Sequence, residues 1–257
     1  MRSGLQAVCA RQTRCKCCGA QAFPYGVVDF HKNCEIYRRK VLEISGVPIY
    51  YHRCPGCRFI FTTAFDEFTH EDFRRYVYNE EYLLVDPDYP DARPRANAAV
   101  LYHLFSGARP RCILDYGGGQ GVLAELLQAA GFPQVDTYDP FVPRYAARPT
   151  DRFDCVVSFE VVEHSTDPAR AFAEMNDCLT DKGLILFSTL LQPIDIDVQG
   201  LNWWYAGPRN GHVSLYSRAS LEKVVQPLGF KLGSFNENLH VLYREIPEFA
   251  RHFIRPY

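Results

Sequence analysis

The sequence predicts an α/β fold: a mostly parallel sheet flanked by helices, with one antiparallel strand, preceded by a small cysteine-rich lobe. Three observations predict it. From Arg111 onward, short apolar runs alternate with helical stretches, the pattern of a parallel sheet with right-handed crossovers. The last two apolar runs are joined only by Asn236-Glu237-Asn238. So short a connection requires a hairpin, and hence one antiparallel strand. Finally, seven of the ten cysteines precede residue 58, so the N-terminal end is built on different chemistry from the rest.

In chain order, residues 1–65 form the cysteine-rich lobe and residues 66–110 a helical linker or cap. In the cap, Phe68, Phe73, Tyr76 and Val77 share one helical face, and Ala98 to Phe105 form a second apolar stripe. The intervening Asp86-to-Pro94 stretch has three prolines and reads as a hinge. Residues 111–257 form the sheet domain. Strands are expected at 112–116, 135–138, 153–159, 184–190, 230–235 and 239–243. Helices are expected at 122–130, ended by Gly131, and at about 168–179. A further helix begins near Ser220, with Ser217 or Ser220 as its cap.

Composition narrows the function. At 257 residues the chain can bury a substantial core beside a small satellite. With 47% apolar and 23% charged residues it has the balance of a soluble globular protein. The longest apolar stretch, Gly183 to Leu191, is too short to span a membrane. The basic opening residues have no apolar segment of the leader type, so a cytoplasmic location and no membrane partner are expected. The net charge of −2 hides an asymmetry. Residues 1–60 carry ten basic and three acidic side chains, a formal +7; the remainder carries eighteen and twenty-seven, or −9. A basic lobe on an acidic body suits an anionic partner such as phosphate, nucleotide or RNA. It equally suits a small domain that is merely well solvated.

The most informative segment is Asp115-Tyr116-Gly117-Gly118-Gly119-Gln120-Gly121, between a strand and a helix. Glycines there permit a tight turn and the close approach of a ligand to the main chain. Asp139 ends the next strand, where a carboxylate can accept both ribose hydroxyls. A nicotinamide site is the rival, since Gly119-Gln120-Gly121-Val122-Leu123-Ala124 fits G-x-G-x-x-A. Asp115 counts against it, because an acid beside the loop repels a pyrophosphate and attracts an ammonium group.

The DYGGGQG segment, followed by YDP, FDCVVSFEVVEHSTDP and GLILFSTL, resembles the class I S-adenosylmethionine-dependent methyltransferases from about Arg111 to Tyr243. The resemblance implies a Rossmann-like, mostly parallel seven-stranded sheet with one antiparallel strand. It places Asp115, Gly117 and Gly119 on the methionine moiety, with Gly121 closing the loop, and Asp139 on the ribose. Phe159 and Glu160 come to the mouth near the sulfonium. The sequence departs from the pattern between Asp139 and Phe153, where thirteen residues cut the third strand short. Asp151 is the substitute for the acid that usually contacts adenine.

Cys15-Lys16-Cys17-Cys18-Gly19 and Cys54-Pro55-Gly56-Cys57 are two C-x-x-C knuckles. That spacing lets two thiolates meet one tetrahedral ion, with Gly19 and Gly56 permitting the turn. A structural zinc on Cys15, Cys18, Cys54 and Cys57 is expected. Cys17, Cys34 or His31 can replace one ligand, and a redox pair is the alternative without a thioredoxin-like context. The knuckles, Phe59, Phe61 and the Tyr76, Tyr78, Tyr82 segment resemble a subgroup of bacterial methyltransferases with an N-terminal zinc ribbon. Members of that subgroup act on sugars and other small metabolites.

Methyl transfer needs alignment, and a base only when the nucleophile must lose a proton. Glu160, His164 and His212 are the candidate catalytic residues. Glu163 and His164 can instead brace the following helix or help bind a metal, and His212 can be a packed loop histidine near Trp203 and Trp204. A small-molecule methyltransferase, acting on a sugar or nucleotide-linked metabolite, is the leading reading. An RNA methyltransferase gripping phosphates with its basic lobe is the second. A non-catalytic methyltransferase-like scaffold is the third.

Overall fold

The structure, a computed structural model, describes residues 12–255. Most of the opening stretch read for a leader, up to residue 11, lies outside the described residues, as does Cys9. Two sheets organise the chain. The smaller is formed by β1 (Thr13–Arg14), β2 (Gln21–Asp29), β3 (Pro48–Arg53) and β4 (Ile60–Thr62). Helices α1 (His70–Tyr76), α2 (Tyr82–Val85) and α3 (Ala92–Leu104) follow. The larger sheet is built from β5 (Ile113–Tyr116), β6 (Val135–Tyr138), β7 (Phe153–Phe159), β8 (Leu179–Ser188), β10 (Lys231–Ser234) and β11 (Leu239–Tyr243). Between these strands run α4 (Val122–Ala129), α5 (Pro168–Asp177), α6 (Ile196–Gln199), the short strand β9 (Ser214–Leu215) and α7 (Arg218–Val225).

The larger sheet has the order β10-β11-β8-β7-β5-β6. Pairs β8–β7, β7–β5 and β5–β6 are parallel, and β11 runs antiparallel to both neighbours. The single antiparallel strand is as expected, but the sheet has six strands, not seven. The reason is visible in the chain: residues 140–152 supply only a short 3-10 turn at Pro143–Tyr145. Among the described residues no strand lies beyond β6. Helix side chains occupy both sheet edges. Gln128 Nε2 of α4 donates to the Val135 carbonyl of β6 at 2.7 Å. Arg218 of α7 donates to the Leu232 carbonyl (3.4 Å) and Ser234 Oγ (3.1 Å) of β10.

The central strands are apolar on both sides because helices cover both faces. Leu101 of α3, Phe105 just past its end, and Leu123 and Leu127 of α4 pack on one. Phe172 and Met175 of α5, with Leu221 and Val224 of α7, pack on the other. The polar side chains at the helix starts act as caps. Ser217 accepts from the Ser220 N–H while Ser220 Oγ returns to the Ser217 N–H, a reciprocal box that fixes where α7 begins. Thr69 and Asp72 do the same for α1. Helix α3 starts inside the proline-rich hinge, with Pro94 tolerated in its first turn. Tyr76, expected on the buried face of α1, is 43% exposed, while Phe73 and Val77 carry that face inward.

The small sheet does not close within the first 65 residues. Its order is β1-β2-β3-β4-β9, so its last strand comes from the C-terminal half, pairing Ile60 with Leu215 and Phe61 with Ser214. Tyr216 stacks beside Phe59 at 5.1 Å between ring centroids, and Ser217 Oγ donates to the Cys57 carbonyl at 2.6 Å. The two sheets are therefore joined through shared hydrogen bonds and a shared apolar cluster that contains Cys15, Phe59, Phe61, Tyr216 and Phe172.

Candidate active site

The turn after β5 brings the expected loop to the carboxyl ends of the parallel strands, where ligands bind in sheets of this kind. Gly117, Gly119 and Gly121 all hold positive φ, at 77°, 54° and 79°, which glycine adopts without cost. Space also demands glycine here. A Cβ on Gly117 would lie 2.4 Å from Val161, and one on Gly118 only 2.2 Å from Asp115 Oδ2. Tyr89, from the hinge, lies over the loop with its hydroxyl 3.1 Å from where a Gly119 Cβ would stand.

Asp115 is 2% exposed, and its Oδ2 has no hydrogen-bond partner. Burial, then the charge of Asp139, pushes its carboxyl up to about 7. Such an oxygen, buried and unpaired, suits a cationic ligand group. Asp139 is turned onto the loop, accepting the Gly119 N–H on Oδ2 (2.9 Å) and the Phe141 N–H on Oδ1 (2.8 Å). Each oxygen keeps a second lone pair for a ligand hydroxyl. Asp151, the suggested adenine-side acid, is exposed in the loop before β7.

Beyond the end of β7 the backbone does something unusual. Glu160 is not glycine, yet it adopts φ 55°, a conformation that costs an ordinary residue about 1–3 kcal/mol and clusters at functional sites. Ser188, at the end of β8, holds it there. The Glu160 N–H donates to Ser188 Oγ, and that hydroxyl donates to Glu160 Oε1, both at 2.8 Å. Glu160 and Ser188 line an open cavity of about 350 Å³ together with Arg93 and Asn97 from α3, Trp204 and Tyr205, and Asn238 from the final hairpin. Arg93 is the cation on this wall, and it is already paired: two of its nitrogens donate to Asp86, at 2.8 and 2.7 Å.

One layer behind Tyr205 lies a second group. Tyr205 O–H donates to Glu163 Oε1 at 2.5 Å, while Glu163 Oε2, fully buried, has no partner. Burial, then the charge of Glu160, raises the Glu163 carboxyl well above its ordinary range. His164 and His212 stand edge to face with ring centroids 4.9 Å apart. Burial holds both imidazoles below the usual histidine value, His164 far below it. His212 Nδ1 donates to the Tyr205 carbonyl at 2.8 Å. Its loop is pinned by Arg209, 1% exposed, which donates to the Val77 carbonyl (2.7 Å), and by Asn210, which donates to the Val85 carbonyl (2.7 Å). Thus Glu160 lies on the cavity wall, and the two histidines lie behind it.

In the small lobe, Cys15, Cys18, Cys54 and Cys57 come together with all four sulfur atoms within 4.8 Å of one another. Cys15–Cys57 and Cys18–Cys54 are each 3.5 Å apart, near the ~3.8 Å that tetrahedral Zn–S bonds of about 2.3 Å imply. The donor set fits one metal ion. Positive φ falls on Gly19 (71°) and Arg58 (62°), the residues following the second cysteine of each knuckle. Gly56, expected to make the second turn, does not adopt it; Arg58 bears that strain. Cys34 and His31 are not part of the cluster: Cys34 lies 3.5 Å from His212, and His31 bonds the Glu43 carbonyl.

Reasoning from sequence missed Arg93, Asn97, Ser188 and Asn238, which come from three separate segments, α3, the end of β8 and the final hairpin; only Ser188 lies in one of the methyltransferase-like motifs. Tyr205 was signalled only as part of the aromatic Trp203-Trp204-Tyr205 run.

Residues 89–234 match the family model described as a methyltransferase domain. No curated protein matches the chain. Among solved structures, an O-methyltransferase family protein from Burkholderia thailandensis is 16% identical, with a TM-score of 0.53. The likeness covers 70% of this chain and 64% of that protein, so this chain spans less than two thirds of its length. A 1,6-didemethyltoxoflavin-N1-methyltransferase from Burkholderia thailandensis, solved with 1,6-didemethyltoxoflavin and S-adenosylhomocysteine, is also 16% identical. There the likeness covers 80% of this chain and 98% of that one, with a TM-score of 0.50. At such identities the likeness is one of fold.

Proposed function

The chain belongs to the methyltransferase-domain family; from that premise we propose that it is an S-adenosylmethionine-dependent methyltransferase acting on a small polar metabolite, a sugar or nucleotide-linked compound. The observation that carries this reading is the cavity at Glu160. Its volume of about 350 Å³ suits a small ligand. Its wall combines the indole of Trp204 with hydrogen-bonding groups at Asn97, Ser188 and Asn238, a lining suited to a hydroxylated ring.

When bound, S-adenosylmethionine supplies the methyl group. Asp115 would pair with its ammonium, Asp139 would accept from the ribose hydroxyls, and the Gly117–Gly121 backbone would leave room for the methionine moiety, with Phe159 at the mouth. Glu160 would orient an acceptor hydroxyl and take its proton, while the bound cofactor would supply the methyl group and leave as the thioether S-adenosylhomocysteine. His164 and His212, behind Tyr205, hold that wall in place, and replacing either with Ala lowers turnover while leaving cofactor affinity nearly unchanged. The four cysteines hold one structural zinc ion, leaving no open position for catalysis.

The RNA reading is less favoured because four of the lobe's ten basic residues are paired with carboxylates within the chain. Lys16 pairs with Asp66, Arg38 with Asp88, and Arg53 and Arg58 both with Asp197. Binding of RNA that falls steeply with added salt would reverse that preference.

Calorimetry tests the cofactor assignment: S-adenosylhomocysteine is expected to bind and NAD is not, and NAD binding without a response to S-adenosylhomocysteine overturns it. The Asp115 carboxyl adds a pH signature. Its ionised form pairs with the ammonium, so affinity should weaken by up to tenfold per pH unit below about 7 and level off above it. Because burial raises this acid above its unfolded value of 3.8, the folded chain binds the extra proton between about pH 4 and 7. Stability of the ligand-free protein is therefore lost as pH rises through that window. Asp115→Asn should remove this loss while weakening cofactor binding roughly 10- to 150-fold, the worth of about 1.5–3 kcal/mol for a hydrogen bond to a charged group. A pH-independent affinity would count against the Asp115 pairing.

A further inference from the structure

We propose that Glu163, His164 and His212 form a second metal site, separate from the cysteine cluster, that takes a divalent cation of the zinc or manganese kind. One ligand atom from each of the three lies within 4.8 Å of the others. Two further observations favour an ion here. Glu163 Oε2 is fully buried with no hydrogen-bond partner, and the Nδ1 of His164 is likewise out of reach of water and unpartnered. Unsatisfied buried polar atoms are rare in folded proteins, and an ion is one of the few things that explains two together.

The surroundings of these groups are those of metal ligands. His212 donates its Nδ1–H to the Tyr205 carbonyl at 2.8 Å, which fixes the tautomer and leaves Nε2 with a free lone pair. Ligating histidines are held in this way by a backbone carbonyl behind them. Tyr205 also donates to Glu163 Oε1 at 2.5 Å, orienting the carboxylate while leaving Oε2 open. One residue therefore orients two of the three ligands. The backbone ties them too: the Val213 N–H donates to the Glu163 carbonyl at 2.9 Å, locking the His212 loop against the end of β7.

The donor set selects the ion. Two imidazoles and one carboxylate leave positions open; imidazole suits zinc, iron, copper or nickel, and the carboxylate with water in the open positions admits manganese as well. A cation here would stand beside Glu160, whose charge is felt at Glu163, and so next to the cavity. The inference holds whichever acceptor the cavity takes, since it concerns binding of the ion alone.

Manganese separates this site from the cysteines, because thiolates bind it poorly. Titration of the full-length protein with Mn²⁺, following free ion by electron paramagnetic resonance, should show one ion bound per chain. Elemental analysis after equilibration with zinc should find two ions per chain. Glu163→Gln and His212→Gln should each weaken Mn²⁺ binding by more than about a hundredfold, exceeding the 10- to 100-fold typical of residues behind a ligand. Zinc content should fall to one while S-adenosylhomocysteine binding is kept, which shows that the variants fold and that the cofactor assignment stands separately. A wild-type protein that binds no Mn²⁺ and holds one zinc per chain overturns the proposal. So does a folded variant, still binding S-adenosylhomocysteine, that retains both ions.

Discussion

Stripping the metal from Cys15, Cys18, Cys54 and Cys57 is expected to unfold the small lobe and abolish methyl transfer. Structural zinc contributes about 10–16 kcal/mol of apparent binding free energy in small domains, as large as the whole stability of an ordinary domain, about 5–15 kcal/mol. The lobe has little to replace it, because β1 and β4 are two and three residues long. The damage should not stop there. Strand β9 is the last strand of the small sheet and directly follows the His212 loop, so losing β4 frees one anchor of the wall behind the cavity. Hydrogen exchange after chelation should show fast amides across residues 21–62 while β5, β7 and β8 stay protected. Turnover should disappear while S-adenosylhomocysteine still binds. Cys57→Ser should reproduce this without chelator. A metal-free protein with a protected small sheet, or with a disulfide in either knuckle, would refute the zinc assignment.

Glu160→Gln should lower turnover by about 10²–10⁴-fold, the usual contribution of a positioned general base, with S-adenosylhomocysteine affinity changed little. Glutamine keeps the shape and the acceptor for Ser188 but cannot take a proton. Glu160→Gly, which relieves the left-handed backbone at φ 55°, should lose as much activity. The strain is then held for the sake of the carboxylate, not for the turn. Ser188→Ala probes the same wall indirectly. It removes both hydrogen bonds that orient Glu160 and should lower kcat with little effect on cofactor affinity. Rates near wild type in Glu160→Gln would show that alignment suffices or that another group takes the proton.

The sheet domain was largely legible because its signals are local. Strands at 135–138 and 153–159 were expected with the bounds observed, and α7 begins at the Ser217–Ser220 box. Those elements are fixed by side-chain period and by caps within a few residues. The strand number was overestimated because it came from likeness to other chains, not from the thirteen residues after Asp139. Strand β9 was not legible at all. Two residues carry no period, and Ser214 and Leu215 become a strand only because β4 is there to pair with them. The cavity was half legible: Glu160 follows a strand end in a recognisable segment, whereas Arg93, Asn97 and Asn238 meet it only through the path of the whole chain. The neighbourhood of His164 and His212 could not be foreseen either, since forty-seven intervening positions return to one point through the Arg209 and Asn210 contacts.

Both free margins of the large sheet are guarded by a neighbouring helix. Exposed strand margins invite pairing with other chains, and proteins blunt them with charges or cover. Here the Gln128 amide fills a carbonyl of β6, and the Arg218 guanidinium does so on β10. A sheet that ends at β6 thus has one carbonyl on each edge strand engaged from within. Crowded copies therefore meet a bonded amide at one side and a positive charge at the other, both of which disfavour edge-to-edge pairing.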